Sequence, residues 1–445
     1  MSVGSNPTRS GWGPDEGAGR HDRRSSVRPR SFVVVLFVLI LLAAVGISGT
    51  DLTSAGQTKT SKEASPRPLA PATATSAFGL DLMRAQRPGN LVLSPDSVAA
   101  ALAMTGTGAV GRTAEEIART LHLKGPASLT AVGDLQSAIA VGHAAAAVGD
   151  PEPPTLEIAN GLFLQQGLLF APAFLSGAQQ RFSAYPETVD FAGNPTGALE
   201  AINSWVSERT KGLIPRILDS LPAEMVLALA NSVYLDADWK YPFKRGATRP
   251  GVFHAAAERA PVDFMHQTKS LRYGAGPGYK AVALPYRSST LSLLVVLPMR
   301  QQLGVLQHRL DARSLARIAH DLSVRPVVLS LPRFHLNTDA DLTGALKKLG
   351  MPTAFSEVAD FSRITTAVPL KVAFVKHAAD FTVDEAGTVA AGATVVGVVP
   401  TSAQRPPRDR VVFNANRPFL FFLRDELTGA VLFAGRLTNP AVAGA

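Results

Sequence analysis

VDEAGTVAAGATVVGVVPTS, from Val383 to Ser402, has an unusual composition for a surface segment. After Asp384 and Glu385 no charge follows until Arg405. Small residues fill its first half: Gly387, Thr388, Ala390, Ala391, Gly392, Ala393 and Thr394. Val395, Val396, Val398 and Val399 then add strand propensity. A segment this small and apolar fits as a central strand with little steric conflict. Yet Pro400, Thr401, Ser402 and the RPPRDR run from Arg405 read as exposed loop. A strand-competent segment tethered in a loop has two possible homes.

The flanks of this stretch predict strands at Leu370–Phe374, Ala379–Val383, Val411–Phe413, Leu420–Phe422 and Ala430–Leu437. Further upstream, strands are expected at Asn90–Leu93, in LEIANGLFL from Leu156, at Pro186–Asp190, Met225–Leu235 and Val327–Pro332, and in pairs across 252–300. Helical spacing marks Ala72–Gln86, Ser97–Gly106, Ala127–Val148, Pro172–Phe182, Pro195–Thr210, Leu303–Asp321 and Leu342–Leu349. Ser94-Pro95 reads as N-cap and first turn of one helix. Thr113-Ala-Glu-Glu reads as a capping box opening another over Ala114–Leu121. Helices dominate early and strands later, with no regular βαβ alternation. The expected class is α+β with mixed sheets rather than a doubly wound fold.

The first residues are different in kind. Residues 1–30 are polar and Gly/Ser/Arg-rich and are expected to be disordered. Phe32–Ile47 is a run of sixteen uncharged, mostly bulky residues behind Arg20, Arg23, Arg24, Arg28 and Arg30. Residues 31–49 therefore read as a signal anchor with its N-terminus in the cytoplasm, or as a signal peptide removed near Gly46–Ser48. The Ser-Ser-Val after Arg23-Arg24 fits a twin-arginine signal poorly. Residues 50–71 are a Ser/Thr/Ala/Pro-rich linker. A globular domain over 72–440 and a short tail over 441–445 follow. Either reading of the leader puts that domain outside the cytoplasm, on a membrane tether if uncleaved and secreted otherwise.

At 445 residues, with 46% hydrophobic and 18% charged residues, the chain can bury a large core. Of its net charge of +9, the first thirty residues hold +3. The rest is mild and shows no basic stripe with interleaved aromatics, so nucleic acid is not an expected partner. The absence of cysteine excludes disulfides, thiolate metal sites and thiol catalysis. There is no G-x-S-x-G, no HExxH, no Walker loop and no EF-hand loop. Gly106–Gly111 spells G-x-G-x-x-G but follows a helix, so it reads as a turn between helices. No cofactor, no metal and no enzymatic activity are expected.

Several separated blocks together resemble the serpin family. They are NLVLSPDSVAAALAMTGTGAVGRTAEEI from Asn90, NGLFLQQG, INSWVSERTKGLIPRIL, ALANSVYLDADWKYPF, LPRFHL, PLKVAFVKHAADFTVDEAGT and the C-terminal NANRPFLFFLRDELTGAVLFAGRLTNP. The resemblance covers roughly Ala72 to Pro440. It implies a serpin fold: helices around three mixed β-sheets, the largest of five strands, with an exposed reactive-centre loop. It implies that Val383–Ser402 is that loop. A target serine protease would attack it as a substrate and form a covalent acyl complex. The cut loop would then enter the large sheet as an extra strand and carry the protease with it.

Whether this loop can insert follows from its residues. As a strand, one face is Thr388, Ala390, Gly392, Thr394 and Val396, and the other is Val389, Ala391, Ala393, Val395 and Gly397. Neither carries a charge, and the family implies that the first set points inward. The fourteen steps from Gly387 to Thr401 reach about 46 Å at ~3.3 Å each. About ten new ladder bonds would release roughly 5–15 kcal/mol. The hinge, Glu385 with Gly387, Thr388, Ala390, Ala391, Gly392, Ala393 and Thr394, lacks the acidic residue the family usually has at Val389. Counting fourteen from Gly387 puts the reactive bond at Thr401–Ser402. Val398, Val399 and Pro400 would present an uncharged recognition sequence suited to an elastase-like or subtilisin-like pocket. Arg405 is a trypsin-like alternative spoiled by Pro406.

The resemblance also places Ser94, Ser97, Asn231 and His377 in a hydrogen-bond cluster beneath the opening of the large sheet, with Trp239 at its top. The Lys that usually follows the histidine is Ala378 here. Gly125 to Gln180 holds no Lys or Arg, so heparin-type activation is not expected. The chain is expected to be a monomeric suicide-substrate inhibitor. The alternatives are a non-inhibitory binding protein or chaperone, and a cross-class inhibitor of a cysteine protease.

Overall fold

The structure is a computed structural model that describes residues 70–256, 258–299, 303–388 and 409–442. The expected tail, anchor or signal, and most of the linker lie outside these residues. Among the described residues no helix is long and apolar enough to cross a membrane.

In chain order the elements are α1 (Ala70–Ala85), β1 (Leu91–Leu93), α2 (Pro95–Thr107), α3 (Gly111–Thr120), α4 (Thr130–Ala146), β2 (Thr155–Gln165), α5 (Pro172–Phe182), β3 (Ala184–Val189), α6 (Pro195–Arg209) and β4 (Leu227–Asp238). There follow β5 (Arg249–His254), β6 (Arg259–Gly276), β7 (Tyr279–Pro285), β8 (Leu291–Pro298), α7 (Leu303–Arg309), α8 (Ala312–His320), β9 (Ser323–Pro332), β10 (Phe334–Asp341) and α9 (Thr343–Leu349). The chain closes with β11 (Lys376–Val383), β12 (Gly387–Thr388), β13 (Val411–Asn414), β14 (Phe419–Asp425) and β15 (Val431–Leu437). The fold is α+β, as the sequence predicts.

The largest hydrogen-bonded sheet runs β1-β15-β14-β8-β7-β6-β9-β13, with β5 paired to β6. Its central strands are covered on both faces. In FLFFLRD of β14, Leu420 and Phe422 face the helical cluster around α1 and α2, while Phe419, Phe421 and Leu423 face a second cluster. This period of two, buried on both sides, explains a continuous apolar run. In the second cluster Phe334, Phe381 and Phe421 pack with ring centroids 5.0–6.3 Å apart. Helix α2 is buried on every side, so its alanines let neighbours approach closely. A Cβ on Gly79 of α1 would sit 2.4 Å from the Pro95 ring.

Four local readings need correction. Thr113 does not cap α3: the helix starts at Gly111 after Val110, which makes no side-chain cap bond. The Thr113 hydroxyl instead accepts the Asp360 N–H at 3.0 Å, and Glu116 accepts from the Thr353 N–H at 3.0 Å. The residues that spell a capping box are used to hold a distant loop. Leu370–Phe374 is not a strand, because this stretch bonds to neighbouring loops and α9. The Val372 N–H goes to Ala354 O and the Val375 N–H to the Thr343 hydroxyl. Leu303–Asp321 splits into α7 and α8, the second capped by Asp311, whose carboxylate accepts from the Ser314 N–H at 2.7 Å. Strand β10, with its polar alternate positions, went unpredicted.

The fourth correction positions the site. In place of one five-stranded sheet there are two blocks, β12-β4-β2-β3 and β10-β11. Among the described residues no register pair joins β4 to β11. A seam therefore runs between the edge of β4 and that of β11. Helix α6 packs across it: Ile202, Trp205 and Val206 share one cluster with Ala228 and Ala230 of β4 and with Ala378 of β11.

Candidate functional site

The site is built at the top of this seam, where β11 ends and the chain turns back toward β4. Asp384 makes the turn: its carboxylate accepts the N–H groups of Ala386 at 2.9 Å and Gly387 at 3.3 Å. Its main-chain oxygen accepts from the Trp239 indole N–H at 2.9 Å. The Trp239 main-chain N–H reaches Ala386 O at 2.8 Å, and the Phe243 N–H reaches Glu385 O at 2.7 Å. Trp239 stacks on Tyr286 with centroids 4.5 Å apart. Trp239 thus stands where the chain passes from β11 toward β4.

Gly387 and Thr388 then pair antiparallel with Asp238 and Ala237, on the free edge of β4. The approach is close: a Cβ on Gly387 would lie 2.2 Å from the Ala237 oxygen. Glycine is needed here because the backbones touch. Glu385 anchors the turn from below and is buried. The Arg333 Nε donates to its two oxygens at 2.8 and 2.9 Å, Arg333 Nη2 adds a third bond, and the Thr248 hydroxyl a fourth. Burial alone would raise the Glu385 pKa. The Arg333 and Thr248 bonds outweigh it and hold the carboxyl below its ordinary range.

The remaining expected loop residues lie outside the described residues: Ala390, Ala391, Gly392, Ala393 and Thr394 of the hinge, Val398, Val399 and Pro400 of the recognition sequence, and the Thr401–Ser402 bond.

At the opposite end of the seam is a cavity of about 600 Å³. Met225, Val226 and Leu227 line it from the start of β4, and Phe361, Ile364 and Leu370 from the segment leading to β11.

Midway along the seam the predicted polar cluster is assembled, with one exception. The Ser94 hydroxyl donates to Leu432 O at 2.6 Å and accepts the Ser97 N–H at 3.4 Å, capping α2. The Ser97 hydroxyl donates to the Asn231 carbonyl, and the Asn231 amide to Asn160 Oδ1 at 2.7 Å. All four residues are buried. His377 is the exception. It is fully buried, yet neither ring nitrogen bonds to Ser94, Ser97 or Asn231. Burial pushes its pKa down to about 3, only partly offset by the Val92 main chain, so the ring is neutral.

Sequence reasoning missed five residues that complete the site: Arg333 and Thr248 under the hinge, and Asn160, Gln136 and Asp96 beyond Asn231. Arg333 sits inside the LPRFHL block and could have been noticed as a charge within an apolar run. Asp96 likewise interrupts the small apolar helix α2. Thr248 carries no such signal. Among the described residues no group of His, Asp or Glu side chains could hold a metal ion.

Comparison with known proteins bears on this geometry. A family model described as Serpin (serine protease inhibitor) matches residues 73–440. The leukocyte elastase inhibitor of Bos taurus is 34% identical over 79% of this chain and 93% of its own length. A serpin-like protein of Thermococcus kodakarensis is 33% identical over 85% of this chain and 87% of its own. The native-state structure of tengpin, a thermophilic serpin, superposes with a TM-score of 0.73 at 24% identity, covering 89% of this chain and 97% of that one. At that identity the likeness speaks to the fold alone.

Proposed function

The chain belongs to the serpin family, and on that premise we propose that it is a suicide-substrate inhibitor of an extracytoplasmic serine protease of elastase-like or subtilisin-like specificity, cut after Thr401. Serpins as a family are protease inhibitors rather than catalysts. The observation that carries the reading is the hinge seated on the open edge of β4.

Extending that register down β4 supports insertion residue by residue. Gly387 faces Asp238 and Thr388 faces Ala237. Continued, Ala390, Gly392, Thr394 and Val396 fall opposite Leu235, Val233, Asn231 and Leu229. Opposed residues of an antiparallel pair share a face. Leu235, Val233 and Leu229 belong to the main core clusters, and Asn231 bonds to Ser97. This is the inward set that parity and family resemblance assign. Val389, Ala391, Ala393, Val395 and Gly397 fall on the α6 side, opposite residues that include Ala230 and Ala228. Val398 arrives opposite Leu227 and Thr401 opposite Glu224, both of which line the cavity at the far end of the seam. In this register the stretch from Gly387 to Thr401 spans β4 and ends at the cavity.

The reaction follows from this. The protease serine attacks the Thr401 carbonyl, expels the Ser402 amine and leaves an ester between enzyme and inhibitor. Insertion competes with hydrolysis of that ester. The uncharged Val398-Val399-Pro400-Thr401 supports the specificity, and the hydrophobic run over 31–49 supports the location, on a membrane tether or after release.

The test is incubation of the protein with pancreatic elastase, subtilisin and trypsin. A complex with elastase or subtilisin that survives denaturing electrophoresis is expected, with Ser402 as the new N-terminus of the released peptide. Cleavage with no complex favours a non-inhibitory binding role, and a different N-terminus moves the reactive bond.

A further inference from the structure

The polar cluster does not end at Asn231. From Ser97 the donors all run one way: Ser97 to Asn231, Asn231 to Asn160 at 2.7 Å, Asn160 to Gln136 at 3.4 Å, and the Gln136 amide to Asp96 Oδ2 at 2.9 Å. Asn160 is held in place by a second bond, to Phe182 O at 2.7 Å. The chain thus crosses β4, β2 and α4, and returns to α2 at the residue preceding the one it left. Its last acceptor is a carboxyl with no accessible surface and no cation bonded to it. The other oxygen, Asp96 Oδ1, has no partner.

We propose that Asp96 is a positioning residue for loop insertion: as the terminal acceptor of this chain it holds Asn231 against α2 and the seam closed, and taking up a proton releases it. This deepens the reading above and rests on loop insertion being what the seam is for. An ionised carboxylate is a stronger acceptor than a neutral acid, and a head-to-tail run of amides is polarised cooperatively by a charge at its end. Removing that charge weakens each link back to Ser97, including the one at Asn231, opposite which Thr394 would arrive.

The surroundings set the pH at which this happens. On β14 stand Asp425, whose Oδ1 is also unpartnered, and Arg424; the latter pairs with Glu426, which Arg272 of β6 also bonds. On α4 stands His143, held by Ser289 and Pro154 O, its pKa lowered by burial. On β11 stands His377, neutral as described. None of these cations contacts Asp96. Burial pushes the Asp96 carboxyl up to about 6, with the Gln136 bond opposing and Asp425 adding to it. Its protonated fraction therefore goes from about 3% at pH 7.5 to about 90% at pH 5.

The test uses the intact protein and a synthetic acetylated peptide of sequence TVAAGATVVGVV, that of Thr388–Val399. Its uptake is followed by tryptophan fluorescence and by mobility on native gels. The uptake rate is expected to rise about thirtyfold from pH 7.5 to pH 5, in proportion to the protonated fraction. Asp96→Asn keeps the shape without the charge and is expected to take up peptide fast at both pH values. Gln136→Met cuts the chain while leaving the acid, and is also expected to show a flat profile. It serves as the readout if the first variant does not fold. A flat wild-type profile, or a variant that keeps the wild-type profile, overturns the role of Asp96. No uptake by the wild type at any pH overturns the insertion reading itself, and this proposal with it.

Discussion

Replacing Gly387 with alanine adds one methyl group at the point where the hinge touches β4. That methyl would lie 2.2 Å from the Ala237 oxygen and 2.7 Å from the Asp238 Cα, both backbone atoms. An ordinary carbon–oxygen contact is about 3.5 Å, so the two strands must separate by roughly 1 Å or more. At that separation the Gly387–Thr388 pairing is lost, and the bond from the Trp239 N–H to Ala386 O, 2.8 Å long, stretches past useful geometry. Losing two such bonds at about 0.5–1.5 kcal/mol each costs about 1–3 kcal/mol, a factor of roughly 5 to 150 in the seated population. On the proposed mechanism insertion competes with hydrolysis of the acyl-enzyme, so this loss should appear in the partition between trapping and turnover. Titration of elastase or subtilisin should need many inhibitor molecules per enzyme inactivated, with cleaved inhibitor accumulating on denaturing gels. Gly392→Ala is the control, since a small residue there meets only the inward face of a strand not yet formed. Should Gly387→Ala trap protease with wild-type stoichiometry, the hinge contact on β4 is not the start of insertion.

Three other perturbations test separate parts of the site. Glu385→Gln removes the charge from a buried anchor whose partner Arg333 is 42% exposed. Solvent screening limits the loss to about 1–2 kcal/mol, seen as a lower urea midpoint, together with faster uptake of loop peptide. Thr388→Arg places a charge on the set that insertion would bury, at a cost of several kcal/mol, so complexes with protease should disappear while cleavage persists. The two buried titratable groups act on stability in opposite directions. His377, lowered to about 3, stabilises the fold fully above its ordinary pKa and loses about 1 kcal/mol per pH unit as pH falls from there toward 3. Asp96, raised to about 6, adds stability at a similar rate as pH falls from 6 toward its ordinary value. Urea unfolding at pH 7.5 and pH 5 should therefore separate the two groups when each variant is compared with the wild type. Relative to wild type, His377→Gln should lose less stability toward pH 5 and Asp96→Asn should lose more, each by about 1–2 kcal/mol.

What was legible in the sequence is what leaves a periodic or compositional mark. The apolar run of β14 and the Pro-initiated helices α2, α5 and α6 all do. So did the family blocks, which brought Ser94, Ser97, Asn231, His377 and Trp239 into view before any geometry. What stayed hidden depends on partners far apart in the chain. Thr113 and Glu116 spell a local cap, yet their hydrogen bonds go to Asp360 and Thr353. Leu370–Phe374 has strand composition, but its neighbours supply bonds that no ladder provides. The bond from Gln136 to Asp96 joins residues 40 apart. Periodicity says nothing of Asp96, just ahead of the expected helix Ser97–Gly106, and leaves His377 between two expected strands.

The position of α6 adds a constraint on how the seam can fill. Its aromatic Trp205 packs against Gly161 so closely that a Cβ there would lie 2.9 Å from the indole. It shares a cluster with residues of both β4 and β11. A strand entering between them must therefore slide beneath α6. The residues that would pass under it are Ala391 and Ala393, followed by Val395 and Gly397. None carries more than three side-chain carbons. The inward set faces no such barrier, because those side chains enter space bounded by Val233, Leu235 and Leu229. On the insertion reading, the odd composition of Val383–Ser402 thus has two causes rather than one. Absence of charge is what the core side demands, and smallness is what the α6 side demands. A loop that met only the first would contain leucine and isoleucine freely, and this one contains neither.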